Sequence, residues 1–265
     1  RSVAPAQVGR WLLRGADDIR RAGWLSLAHG VVVAGFGAVL LWLARDRFWL
    51  LAGAFSGFLV VAPVLATSLY AMSRALERGE QVNFQLVLNT WTSWQHARFV
   101  ERGGYWTLVR FGLLLALAGT GWVLTSAALI TLLAPQPIHG PLDFLRYIVL
   151  APNSYLFELW LTMGGLLAAP LFASSVITMP LLLDRKLDVL PAVLTSWQSV
   201  LTNPVTMAVW AALILCLTVV GMSAVLLGLV LVLPLLGHAS WHAYRDLADV
   251  SAVPERLPSG SGLSG

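Results

Sequence analysis

Apolar residues fall into about six long runs along this chain. Shorter segments that mix apolar and polar residues with a helical period precede them in turn. A span needs about 20 apolar residues to cross roughly 30 Å of hydrocarbon. The runs Trp24–Leu43, Phe48–Met72, Phe111–Leu133, Tyr155–Leu183, Val205–Val220 and Ala224–Tyr244 are therefore predicted to be membrane spans. From Pro204 to His238 the chain is almost continuously apolar. As one helix it would reach about 50 Å at 1.5 Å per residue, too long for one crossing, so a tight turn is predicted near Gly221–Ser223.

The mixed segments read as amphipathic helices. In the first, Val8, Trp11, Leu12 and Ile19 share one face, with Arg10, Arg14, Asp17, Asp18 and Arg21 on the other. In the second, Phe84, Val87, Leu88, Trp91 and Trp94 form the apolar stripe. In the third, Val189, Val193, Leu194, Trp197, Val200 and Leu201 do. Such helices are expected to lie in the headgroup plane with the apolar face down. The predicted fold is an all-α, polytopic membrane helical bundle of about six spans. They form three hairpins, each preceded by an interfacial helix.

Internal repetition supports this unit. The segment Ala62–Ser68 (APVLATS) matches Ala169–Ser175 (APLFASS), and Leu233–Ala239 (LPLLGHA) is a weaker third copy. Val87–Trp91 resembles Val193–Trp197 in the same way. We read one integral membrane domain over residues 1–253, with pseudo-repeats at about 8–80, 81–187 and 188–247. Residues 254–265 read as a disordered tail from their Ser and Gly content.

Composition agrees: 58% of residues are hydrophobic and 11% charged, against roughly 25% charged in soluble domains. The net charge of +4 does not indicate a nucleic-acid partner, because the basic residues flank apolar runs. Fourteen basic residues (Arg1, Arg10, Arg14, Arg20, Arg21, Arg74, Arg78, Arg98, Arg102, Arg110, Arg185, Lys186, Arg245 and Arg256) fall on one side of the proposed topology. Arg45, Arg47 and Arg146 fall on the other. By the positive-inside rule both termini are expected in the cytoplasm. Trp24, Trp42, Trp49, Trp106 and Trp160 lie near proposed span ends, as in an aromatic belt. The single cysteine, Cys216, excludes an intrachain disulfide, and no cleavable signal peptide is expected before Trp24.

Several segments resemble a bacterial family of predicted integral membrane proteins, a domain of unknown function. They are Ala62-Pro63, Arg74–Gly79 (RALERG), Leu187-Asp188, Pro204 and Pro234–Asp246 (PLLGHASWHAYRD). The resemblance covers almost the whole chain, and the Gly237–Arg245 run is its most specific part. It implies a six-span inner-membrane protein and no assigned activity.

Candidate chemistry is sparse. Proline removes a backbone donor and kinks a helix, and the freed carbonyls need partners inside a bilayer. Pro63, Pro170 and Pro234 mark such kinks, with Thr67, Ser68, Ser174 and Ser175 placed to satisfy them or to line a cavity. His238 and His242, four apart, share one helix face, and His29 sits at similar depth. Together they are candidate cofactor ligands, although no carboxylate is adjacent to His238 in the sequence. Glu158 and Arg110 lie near span ends, where they snorkel to the interface. Gly53 and Gly57 fit a close helix-packing face.

No phosphate-binding glycine loop, nucleophile elbow or paired carboxylates are present, so no enzyme and no bound cofactor is expected. The leading expectation is a non-catalytic accessory or assembly subunit of a larger membrane complex, possessing lipid and other integral membrane subunits as partners. The alternatives are a transporter or channel for a small, weakly charged solute, and a subunit carrying haem, metal or pigment on the three histidines.

Overall fold

The computed structural model describes residues 1–96, 106–152, 154–224 and 226–256. Arg98, Arg102, the side chain of Trp94 and residues 257–265 lie outside the described residues. Residues 254–256 of the expected disordered tail are instead packed, with the Lys186 N–H donating to the Pro254 carbonyl and Arg256 buried. What is described is helical, and the chain has the all-α architecture read from its apolar runs. The helices are α1 (Gln7–Ala22), α2 (Trp24–Leu43), α3 (Phe48–Leu65), α4 (Thr67–Glu77), α5 (Phe84–His96), α6 (Trp106–Leu133), α7 (Pro141–Phe144), α8 (Leu156–Ser175), α9 (Thr178–Asp184), α10 (Val189–Thr202), α11 (Pro204–Ser223) and α12 (Leu229–Leu247). A π-helical turn at Leu145–Val149 follows α7. Among the described residues the one β-type pairing is an isolated bridge between Arg185 and Glu255.

Among the described residues four helical stretches are long and apolar enough to cross a membrane: Trp24–Leu43, Trp106–Leu133, Leu156–Asp184 and Pro204–Ser223. The run expected at Phe48–Met72 is two helices. Pro63 carries no N–H, α3 ends two residues later, and Ala66 (φ −81°, ψ 0°) separates it from α4. The run containing Pro170 likewise breaks between α8 and α9 at residues 176–177, whereas α12 continues through Pro234. Residues 221–223 still belong to α11, and the chain turns not there but at 224 and 226–228. Gly221 is used instead for close packing, since a Cβ on Gly228 would lie 2.6 Å from the Gly221 Cα.

Contacts divide the chain into two units, one of Arg1–Ala34, Pro63–Gly112 and Ala173–Gly265, the other of Gly35–Ala62 and Leu113–Phe172. In the second unit, Gly53 and Gly57 face α6. A Cβ on Gly53 would lie 3.0 Å from the Val123 backbone, and one on Gly57 would lie 3.5 Å from the Gly119 carbonyl. The indole N–H of Trp122 donates to Ser56 Oγ (2.7 Å), and that of Trp160 donates to Ser126 Oγ (2.7 Å). The two rings pack with centroids 5.6 Å apart, so Trp160 serves the interior of this unit as well as its edge. Ile130, Ile138, Ile148 and Leu156 form its small apolar core.

In the first unit, α12 is the post against which α1, α4, α9 and α11 pack. Its neighbours come close because side chains are missing at the crossings. A Cβ on Gly15 of α1 would lie 2.9 Å from the Leu235 carbonyl, and one on Gly30 of α2 would overlap the Val230 backbone. Gly237 faces Leu69 of α4 in the same manner. Pro234 cannot donate to the Val230 carbonyl four residues back, and Gly30 is the residue seated against that carbonyl.

The first amphipathic helix departs from its expected position. α1 buries Val8 and Trp11, but also Gln7, Gly15 and Asp18, against other helices, and it exposes Arg10, Leu13, Arg14 and Asp17. It clamps onto α12 and does not lie apolar face down on lipid. The reason is local: Gln7 and Trp11 both donate to Asp246 (Trp11 at 2.8 Å), and the Trp11 ring meets Trp210 edge-on at 5.6 Å.

The α2–α12 crossing sets a direct expectation. Gly30→Val should prevent this packing and lower the yield of monodisperse protein in detergent several-fold. Gly35→Val, where nothing lies within 4 Å of an added Cβ, should leave the yield close to that of the parent chain.

Candidate functional site

Gly23 ends α1 with φ +65°, a conformation glycine adopts without strain, and its N–H caps the Ile19 carbonyl at 2.9 Å. The reversal brings Asp18 of α1 and Ser26 of α2 to the same stretch of α12. There His238, with no exposed surface, is held between two hydroxyls. Ser26 Oγ lies 2.7 Å from Nε2, and Ser73 Oγ of α4 lies 2.7 Å from Nδ1. Ser73 also donates to Asp18 Oδ2 (2.6 Å), and His242 Nε2 lies 2.9 Å from the same oxygen. His29 completes the group, with Nδ1 2.7 Å from the Leu25 carbonyl and Nε2 2.5 Å from Ser68 Oγ.

The hydrogen positions follow from valence. An ionised carboxylate only accepts, so the single hydroxyl hydrogen of Ser73 goes to Asp18. Ser73 must then accept from His238 Nδ1–H, which leaves Nε2 to accept from the Ser26 hydroxyl. The result is a directed chain, Ser26 to His238 to Ser73 to Asp18, that ends on a buried carboxylate. Burial alone would raise the Asp18 pKa. The hydrogen bonds from His242 and Ser73 and the nearby imidazoles outweigh it and hold the group below its usual 3.8.

Sequence reading placed the three histidines at one depth, and all three join this cluster. It missed Asp18, which lies 3.9 Å from His238 Nδ1; the carboxylate absent along the sequence is supplied by α1. It also assigned Ser68 to the Pro63 kink, whereas Ser68 binds His29. Thr67 does fill that role, donating to the Val64 carbonyl at 2.7 Å. Ser174 accepts from the Trp197 indole N–H (2.9 Å), and Ser175 is buried. Pro170 lies in the other unit. Among the described residues no group of three or more His, Cys, Asp or Glu side chains is arranged to hold a metal ion. Both ring nitrogens of His29 and of His238 already have protein partners.

A second polar cluster, unforeseen in the sequence, closes the end of α9. Buried Asp184 accepts from the Tyr244 hydroxyl (2.7 Å) and Arg185 Nε (2.9 Å). Arg78 and Arg245 approach it at 3.7 and 3.8 Å. Helix C-termini leave carbonyls without intrahelical partners. Here Arg74 donates to the Leu183 carbonyl (2.8 Å) and Arg256 to the Leu182 carbonyl (3.0 Å). The bulk of Arg185 is buried, which disfavours its charge, but Asp184 more than offsets this and raises its pKa.

A family model described as "Predicted integral membrane protein (DUF2189)" matches residues 50–184. The chain belongs to this family. Neither the curated proteins nor the solved structures contain a match. The matched stretch includes Ala62-Pro63 and Arg74–Gly79. It stops short of Leu187-Asp188, Pro204 and Pro234–Asp246, so the resemblance read over almost the whole chain is carried by about half of it. Within the match lie Ser68, Ser73 and Asp184, while Asp18, Ser26, His29, His238 and His242 lie outside it.

Removing a buried hydrogen-bonding group strands its partners, at about 1–3 kcal/mol for each. His238→Ala should therefore cost about 2–4 kcal/mol in detergent unfolding, and His242→Ala, at the edge of the cluster, about 1 kcal/mol. The Asp18 contribution is present above the ordinary carboxylate value of 3.8 and is lost as pH falls through its lower folded value. The stability gap between the parent chain and Asp18→Asn should thus persist at pH 5 and close as pH falls below about 4. Thermal unfolding in buffered detergent across that range measures it.

Proposed function

We propose that this chain is a non-catalytic, multi-pass protein of the bacterial inner membrane, acting as an accessory or assembly subunit of a larger membrane complex, a respiratory one being the first to examine. Six spans in three hairpins with both termini cytoplasmic are part of the reading. The fourteen-to-three division of basic residues supports it.

The observation that carries the proposal is how deeply the histidine cluster is enclosed and how it bonds its neighbours. A catalytic or ligand-binding side chain needs a face that a substrate can reach, and His238 has no exposed surface. His29 and His238 instead spend both ring nitrogens on Leu25, Ser68, Ser26 and Ser73. That arrangement joins helices. Large apolar residues such as Val32, Phe36, Leu117 and Leu124 meanwhile stand exposed on the span helices, surface suited to lipid and to neighbouring membrane subunits.

The test is purification of the tagged full chain from native membranes in mild detergent, with mass spectrometry and an absorption spectrum of the same fraction. A membrane complex retained in fixed stoichiometry, without a visible absorption band, is the expected result. A monodisperse single chain would overturn the subunit reading, and a haem or pigment band would replace it with the cofactor-carrying one.

A further inference from the structure

We infer that α5 and α10 are inserted into the acyl-chain layer of the bilayer, presenting a repeated apolar stripe directly to lipid. In α10 the buried face is small and polar, while the exposed face carries leucines together with Gln198 and Thr202. Ala192, Ser196, Ser199 and the following Asn203 are buried against the protein, whereas Leu190, Leu194 and Leu201 are 68%, 59% and 71% exposed. The buried hydroxyls have protein partners: Ser199 donates to the Thr195 carbonyl (2.9 Å), and Ser196 accepts from the Ile177 N–H (3.4 Å).

Three observations select lipid as the occupant. Neither α5 nor α10 contains Asp, Glu, Lys or Arg, and a helix resting in the headgroup layer carries such charges on its polar face. Beyond the helix break at Asn203, Val205 and Val209 at the start of α11, which is long and apolar enough to span, are exposed as well. The same stripe also recurs in α5, where Phe84, Leu88 and Trp91 match Leu190, Leu194 and Trp197 in the repeated sequence and are likewise exposed. α1 is the contrast, with its exposed face carrying Arg10, Arg14 and Asp17. The inference rests on membrane residence alone and stands whether or not a partner complex is found.

The experiment uses the full chain with Cys216→Ser and one cysteine restored at a time by Leu88→Cys, Leu194→Cys, Leu201→Cys, Val209→Cys or Arg10→Cys. Each variant is nitroxide-labelled in phosphatidylethanolamine–phosphatidylglycerol vesicles. Collision with oxygen, which concentrates in lipid, is compared with collision with a water-soluble nickel chelate. Labels at 88, 194 and 201 should match the oxygen-rich, nickel-poor label at 209 and differ several-fold in that ratio from the label at 10. Nickel access at the stripe equal to that at 10 would overturn the inference in favour of a water-facing surface. Shielding from both reagents would overturn it in favour of a second copy of the chain. Three stripe positions on two helices keep the test decisive if one variant fails to fold.

Discussion

The first unit depends on one side chain. His238 is wholly buried and joins α2 to α4 through Ser26 and Ser73, then reaches α1 through the Asp18 carboxylate. A buried imidazole is tolerated only when both nitrogens are satisfied, because an unmatched polar group in a medium of low dielectric is costly. Serine has the shortest side chain able to supply such a bond, so the helices must approach closely. The bare crossings at Gly15, Gly30 and Gly237 permit that approach. Backbone proximity and hydrogen bonding are thus one constraint: a larger residue at position 30 separates α2 from α12, and Ser26 then no longer reaches the ring.

The arginine cluster gives the basic residues of this side a second role. Arg74, Arg78, Arg185, Arg245 and Arg256 count toward the charge asymmetry read along the sequence. They also converge on the end of α9, where carbonyls and the Asp184 carboxylate need donors. The planar guanidinium suits this work, offering several donors in a fixed geometry where lysine offers a single flexible ammonium. Their grouping follows helix capping as much as lipid attraction.

Much of this was legible in advance, for identifiable reasons. Apolar runs report burial in hydrocarbon, so α2 and the end of α6 fall at the expected residues, and His29, His238 and His242 were placed at one depth by position alone. Run length does not report a break inside hydrocarbon. Pro63 and Pro170 announced kinks, but not that the helices would stop and restart at Ala66 and at residues 176–177. Periodicity also assigned Asp18 to the polar face of α1 beside Asp17. The two differ only in what they meet, Asp17 solvent and Asp18 the hydroxyl of Ser73. That distinction exists only once α4 and α12 are in place.

The placement of the post has a consequence for biogenesis. Among the described residues α12 is the last helix in chain order, yet the contacts it makes reach back more than two hundred residues to Ser26, Asp18 and Trp11. While the ribosome is still producing the middle of the chain, Asp18, Ser26 and Ser73 have no imidazole to bind. The groove that Gly15 and Gly30 leave open has no helix to fill it. Contacts so distant in sequence form late, so nascent chains pass through a long interval with polar groups at the membrane boundary unpaired. Completion of the first unit waits on the synthesis of α12, which acts as the keystone that converts a set of inserted helices into a fixed structure.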